Sequence, residues 1–215
     1  MIGDYFVNKC LTTATEMDPW PYQEIEDSFP EDFFAKFNQS CQHLLNFKDF
    51  ATGDKKNPEY DGPVPFHVYP KDFAKFDIDL YDEVEDIAKK VLPKAKDLCM
   101  KINPRHRWYN KLGLNAHISI TPPLPYKFHI HQESPGKIWS AVTYVTPETN
   151  VGTKMYTEGN ANSFVKEAKW KPNSTFIFCG ELGKTWHSYE SDQTSNRITF
   201  NLFIMKPNKH TFYHG

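Results

Sequence analysis

From Leu114 onward the chain is cut into short alternating or apolar runs, each closed by a turn residue. This texture limits the fold more than any other feature. Leu114, Ala116, Ile118 and Ile120 alternate with Asn115, His117 and Ser119, and Phe128 and Ile130 alternate with His129 and His131. A period of two sends successive side chains to opposite faces of an extended strand. Further runs at 139–145, 153–156, 163–168, 174–178, 185–189 and 197–205 are separated by Pro147, Gly159, Pro172, Gly180 and Gly183. Short strands with this punctuation predict a β-sandwich or jelly roll.

The first hundred residues read differently. Ser28-Phe-Pro-Glu31 fits a capping box with proline near the first turn. Phe33, Phe34, Phe37, Cys41, Leu44 and Leu45 then recur at helical spacing and give one apolar face. Residues 48–76, rich in glycine and proline, read as a long irregular segment wrapping the site entrance. A second helical region runs from about Leu80 to Ile102, with Leu80, Val84, Ile87 and Val91 on one face and acidic residues crowding its start. Pro93 should break it. Helices first and strands afterwards predict an α+β, mainly β, chain with N-terminal helices packed on one outer face of the β core. At 215 residues one domain is expected: a strand, helices and long loop over 1–104, the β core over 105–206, and a tail over 207–215.

Composition removes several classes. A formal net charge of −2 without a basic tract does not point to nucleic acid. No apolar run approaches the ~20 residues a bilayer crossing needs. The start, Met1-Ile-Gly-Asp-Tyr-Phe-Val-Asn-Lys9, is not a secretory signal. Cys10, Cys41, Cys99 and Cys179 show no C-x-x-C pairing, so reduced thiols and a cytoplasmic location are expected.

The chemistry concentrates in Tyr126–Lys137 and two later positions. His131 and Glu133, two apart at the end of a strand, can aim an imidazole and a carboxylate at one point. His187, between Trp186 and Tyr189, is the best third donor. Two histidines and one carboxylate with an open opposite face is the set used by non-haem Fe(II) oxygenases. Arg197 leads an apolar strand and needs an anionic partner, because burying it unpaired costs several kcal/mol. Its planar fork suits a carboxylate, and the Thr199 hydroxyl shares its strand face. His129 reads as pocket wall or support for His131, and Lys137 and Trp139 as pocket-rim residues.

The ordered set His131-x-Glu133, His187, Arg197-x-Thr199 resembles the H-x-D/E…H…R-x-S/T signature of the 2-oxoglutarate/Fe(II)-dependent oxygenases. Ser134-Pro-Gly-Lys137 followed by the apolar run 138–146 resembles the prolyl-hydroxylase-like branch, over roughly residues 105–206. Pro21-Tyr-Gln-Glu-Ile-Glu-Asp-Ser28 is similar to that family's entry strand. The resemblance implies a double-stranded β-helix (jelly roll). It also implies Fe(II) on His131, Glu133 and His187, with O2 as co-substrate. 2-Oxoglutarate would lie on Arg197, Thr199 and Tyr144. The implied reaction is hydroxylation of a peptide or protein side chain, proline first, or of a small molecule, with release of succinate and CO2. Glu133 departs from the Asp that most of the branch carries. Two other readings share the architecture. One is a cupin-type metalloprotein, invited by His129-x-His131; its acid would fall at Pro135 or Gly136, and Arg197 would have no role. The other is a non-catalytic β-sandwich binding module.

Overall fold

The computed structural model describes residues 1–46, 60–61, 65–105 and 109–214. In chain order its elements are α1 (Ile2–Thr12), β1 (Tyr22–Ile25), α2 (Glu31–Leu44), β2 (Tyr60–Asp61), β3 (Phe66–Val68), α3 (Tyr81–Val91) and α4 (Ala95–Ile102), followed by β4 (Gly113–Thr121), β5 (Lys127–His131), β6 (Lys137–Thr146), β7 (Lys154–Tyr156), β8 (Phe164–Glu167), β9 (Thr175–Phe178), β10 (Trp186–Glu190), β11 (Arg197–Met205) and β12 (Tyr213–His214). Among the described residues the strands form two antiparallel sheets. The major sheet runs β1-β9-β6-β11-β4-β12, with β3 also on β4; the minor sheet runs β2-β5-β10-β7-β8.

Alternation along the central strands explains the layering. Leu114, Ala116, Ile118 and Ile120 of β4 and Ile198, Phe200, Leu202 and Ile204 of β11 are buried in one cluster with Phe6, Phe33, Phe37, Val84, Ile87 and Leu98 from the helices. Each such side chain larger than alanine contributes roughly 1.5–3 kcal/mol on full burial, so this interface anchors the helices to one outer face of the β core. The other face of the same strands carries Asn115, His117, Ser119, Thr121, Arg197, Thr199 and Asn201. These are buried too. In an antiparallel sheet with one solvated side that face would be polar because it meets water; here it is polar because it faces the minor sheet across a cavity.

Several local expectations need correction. Pro30, not Ser28, caps α2, and the Ser28 hydroxyl donates to the Ile25 carbonyl instead. The acidic first turn of Glu31 and Asp32 remains to complement the helix dipole. The second helical region divides as Pro93 predicts: α3 ends at Val91 and a 3₁₀ turn over Leu92–Lys94 leads into α4. Within 48–76, β2, β3 and a 3₁₀ turn over Pro70–Phe76 are regular; residues 47–59 and 62–64 lie outside the described residues. Helix α1 went unread in the sequence, although it buries Phe6, Val7 and Cys10. Among the described residues no helix is long and apolar enough to cross a membrane.

Candidate active site

Between the sheets lies a cavity of about 260 Å³ lined by His131, Glu133, His187, Arg197 and Thr199. The sequence separates these five residues by up to 68 positions; the fold brings all of them to one space. His131 and His187 come from the minor sheet, where they are direct partners across the β5–β10 pair. Their ring centroids are 4.2 Å apart.

The β5–β10 ladder also shows why strict alternation misplaces His129. His187 pairs with His131 but Tyr189 pairs with Phe128, so β5 carries one extra residue there. A bulge of this kind re-aims side chains. Phe128 and His131 consequently line the cavity together, with ring centroids 3.9 Å apart. His129 is not part of the cavity wall and serves through its backbone: its carbonyl accepts from His131 Nδ1 at 2.9 Å. His187 Nδ1 likewise donates to the Thr185 carbonyl at 3.0 Å. A carbonyl can only accept, so each neutral ring keeps its proton on Nδ1 and its lone pair on Nε2, the form that ligates metals. Burial, then the neighbouring His131, push His187 down to about 4, leaving it neutral at pH 7.

Glu133 lies just beyond the end of β5, and its carboxylate reaches across to the major sheet. Ser140 Oγ donates to Oε1 at 2.8 Å, and Lys137 Nζ contacts Oε2 at 2.9 Å. Burial alone would raise this carboxyl. The Lys137 ammonium, His187 and the two hydrogen bonds outweigh burial and hold it at about 2, so it is ionised. The donors therefore suit a divalent metal in kind, with two imidazoles and one carboxylate. They do not suit it in arrangement. Among the described residues no three His, Cys, Asp or Glu side chains are gathered to hold a metal ion, and the carboxylate is taken up by Lys137.

Arg197 presents the opposite case. It is 7% exposed, its Nε is buried with no hydrogen-bond partner, and among the described residues no carboxylate pairs with it. Aromatic rings hold it in place: its guanidinium carbon lies 3.9 Å from the Tyr189 ring centroid and 5.2 Å from that of Trp170. Such contacts position a cation without neutralising it. Two places along β11, the Thr199 hydroxyl accepts from Asn201 Nδ2 at 3.2 Å, which leaves its own proton to donate elsewhere. Tyr144 stands behind this end and is absent from the cavity lining. Its hydroxyl donates to Thr153 Oγ1 at 3.2 Å, and its ring stacks on Trp170 at 4.5 Å.

The lining residues that escaped the sequence reading include His67, His117 and Asn201. His117 is buried with both nitrogens occupied, Nδ1 donating to Asn115 Oδ1 at 3.1 Å and Nε2 accepting from Asn201 Nδ2 at 3.2 Å. Burial drives it well below the ordinary histidine range, and drives His67 to about 4. The available signal was the polar half of the β4 and β11 alternation, which reads equally well as a solvated face. Of the two expected rim residues, Lys137 lines the cavity. Trp139 does not: it is fully buried on the helix side, edge-on to Phe6.

Comparison with known proteins gives fold-level likeness only. No family model and no curated protein matches the chain. Among solved structures, a prolyl hydroxylase from Trichoplax adhaerens, in complex with a hypoxia inducible factor oxygen degradation domain peptide fragment, superposes with a TM-score of 0.59 at 13% identity, covering 95% of this chain and 89% of that one. A Pseudomonas putida prolyl-4-hydroxylase gives 0.52 at 12% identity, over 97% of this chain and 100% of that one. A viral collagen prolyl hydroxylase from Paramecium Bursaria Chlorella virus-1, in its 2OG complex, gives 0.54 at 10% identity, over 89% and 99%. The chain thus shares the jelly-roll fold of these solved structures, mainly β with helices on one outer face.

Proposed function

We propose that this chain is a 2-oxoglutarate-dependent oxygenase, a hydroxylase whose prime substrate is a peptide or protein side chain. One observation carries the reading: Arg197 is a buried, caged guanidinium without a carboxylate partner among the described residues, at the wall of a cavity between two sheets. Leaving such a charge unpaired costs several kcal/mol, so the arrangement makes sense when an anion from outside completes it. The distal carboxylate of 2-oxoglutarate fits, with the guanidinium fork as bidentate donor and the oriented Thr199 hydroxyl as a further donor. Tyr144 supports that end from behind the Arg197 cage. His131, Glu133 and His187 are the residues that would hold Fe(II), once Glu133 is released from Lys137. Bound there, the metal would supply O2 activation for the conversion of 2-oxoglutarate to succinate and CO2. The protein's own share is to hold the co-substrate, keep the His187 imidazole neutral, and surround the site with Phe128, Phe178 and Tyr189 to limit water.

Proline in a peptide is the first substrate to try, because the superposed neighbours are described as prolyl hydroxylases and one carries a peptide. The test is succinate formation by purified protein with Fe(II), 2-oxoglutarate and O2 across a panel of proline-containing peptides. Parallel calorimetry should show 2-oxoglutarate binding that Arg197→Met removes. A wild-type protein that binds no 2-oxoglutarate and releases no succinate would rule the assignment out.

A further inference from the structure

We propose that the stretch of cavity wall carrying His67 and Asn201 is a subsite for the prime substrate and recognises an uncharged secondary amide, with the substrate N–H on Asn201 Oδ1 and its carbonyl on His67 Nδ1. The inference deepens the oxygenase reading above, on which it rests, by naming the chemical group that the cavity grips beside the co-substrate.

Strand pairing brings His67 to this wall. In β3, Val68 is buried in the core on the helix side and Phe66 packs against that core, so the residue between them faces the other way. β3 lies on β4 with His67 opposite Ser119, and both line the cavity. The His67 ring stands edge-on to that of His117, with centroids 4.7 Å apart. Its Nδ1 is buried and has no hydrogen-bond partner among the described residues. A polar atom so placed costs stability unless something from outside completes it.

A chain of hydrogen bonds fixes what Asn201 offers. The His210 carbonyl can only accept, and Asn115 Nδ2 donates to it at 2.8 Å. Asn115 therefore turns its Oδ1 to His117, whose Nδ1 carries the proton and donates at 3.1 Å. His117 Nε2 is left with a lone pair and accepts from Asn201 Nδ2 at 3.2 Å, and the second Nδ2 proton goes to Thr199 Oγ1, also at 3.2 Å. Both amide protons of Asn201 are thus used, and its Oδ1 accepts from no donor among the described residues. One wall then offers a fixed acceptor at Asn201 Oδ1 and an imidazole nitrogen, His67 Nδ1, that can donate. It offers no free charge. Burial keeps His67 and His117 neutral at pH 7, and the nearby Lys137 ammonium is held by Glu133. A charged group would be desolvated here without a counter-ion. A secondary amide instead brings one N–H, one carbonyl and a flat body to lie on the rings of His117 and Phe203, whose centroids are 5.6 Å apart.

The experiment uses three probes: N-acetylproline N-methylamide, the methyl ester, which lacks the N–H, and N-acetylproline itself, which carries a carboxylate. Binding is followed by NMR shifts of the histidine ring nitrogens, under nitrogen gas and with 2-oxoglutarate present; 2-oxoglutarate binding is measured separately by calorimetry. Wild type should bind the amide about three- to tenfold more tightly than the ester, the worth of one neutral hydrogen bond, and the carboxylate most weakly. In Asn201→Leu the amide and ester should become equal. His67→Phe keeps a ring and removes the nitrogen, so it should weaken both by a similar factor while 2-oxoglutarate affinity stays unchanged. His67→Asn restores a polar atom near the Nδ1 position and should recover most of that loss. The wild-type comparison of amide with ester carries the test if a variant does not fold. Equal affinity for amide and ester in wild type, or no amide binding by a protein that binds 2-oxoglutarate, overturns the subsite and leaves the oxygenase reading standing. The expected amide preference without any 2-oxoglutarate binding supports the subsite and overturns the oxygenase reading. Binding of neither overturns both.

Discussion

Arg197 and Glu133 are both charged, both buried, and both on the wall of one cavity, yet they are treated in opposite ways. Glu133 is satisfied from within the chain, by Lys137 and Ser140. Arg197 is caged by Tyr189 and Trp170 and has no carboxylate partner among the described residues. A charge that the fold neutralises can be explained by folding alone. A charge that it orients but leaves unneutralised needs a ligand. The difference makes the Arg197 end the one that calls for a ligand, and the Glu133 end the one that folding alone explains.

Substituting Arg197 should separate ligand binding from stability most sharply. Arg197→Met removes charge-assisted hydrogen bonds worth roughly 1.5–3 kcal/mol each, so 2-oxoglutarate affinity should fall by well over tenfold in calorimetry. Arg197→Lys should recover only part of it, because an ammonium cannot reproduce the planar fork. In urea melts without ligand, Arg197→Met should be as stable as wild type or more so, since it removes an unpaired buried charge. A large loss of stability together with unchanged affinity would make Arg197 an ordinary structural arginine.

Glu133 should behave in the reverse sense. Its folded-state value of about 2 lies below the ordinary 4.5, so the ionised pair contributes stability above pH 4.5 that is lost as pH falls through about 2. Glu133→Gln should therefore lower unfolding stability at pH 7 in the absence of metal by about 2–3 kcal/mol. The gap to wild type should close as pH drops from 4.5 towards 2. A gap independent of pH would mean that packing around Gly180, rather than the ion pair, holds the side chain.

The same contrast shows what the sequence could and could not disclose. The strands and the helix break at Pro93 were legible because periodicity and proline are local signals, whereas the convergence of His131, Glu133, His187, Arg197 and Thr199, up to 68 positions apart, was expected only from the resemblance of the ordered set to an oxygenase signature. The bulge in β5 was not: a single extra residue swaps Phe128 for His129 at the cavity wall, and no residue type announces it. The Lys137–Glu133 pair was half visible, as an i,i+4 spacing in a loop where spacing does not determine geometry. Asn201 and His117 were hidden by an ambiguity of alternation, since a polar strand face looks the same whether it meets solvent or a second polar wall. The missing partner of Arg197 could only be recognised once its neighbours were known.

Between the two charges stands a neutral stretch, His67 and His117, which provides a smaller test of how the cavity manages charge. Burial above all depresses both imidazoles, with the Lys137 ammonium adding to it: His67 to about 4 and His117 well below its usual range. Above pH 6.5 both are neutral whether the chain is folded or unfolded. As pH falls through 6.5 the unfolded rings take up protons and the folded ones do not, so stability drops until the folded values are reached. His117→Gln can keep the bonds to Asn115 and Asn201 while removing one such ring. Its unfolding free energy should fall less steeply than wild type between pH 6.5 and 5, by about 1–2 kcal/mol across that interval. Parallel curves would show that His117 does not titrate differently in the two states.

The smallest expected effect belongs to Thr199, and it sharpens the comparison at its Arg197 end. The Thr199 hydroxyl accepts from Asn201, so the geometry frees its proton for a ligand oxygen beside the guanidinium. Thr199→Val keeps the shape and removes that donor. A neutral hydrogen bond is worth roughly 0.5–1.5 kcal/mol, so 2-oxoglutarate affinity should fall only a few-fold, far less than with Arg197→Met. Thr199→Ser keeps the hydroxyl and should stay near wild type. If both residues grip one carboxylate, their effects should be less than additive in the double variant, because once the guanidinium is gone the carboxylate no longer sits where the hydroxyl can reach it. Strict additivity would place Thr199 on a different part of the ligand and limit the carboxylate site to Arg197 alone.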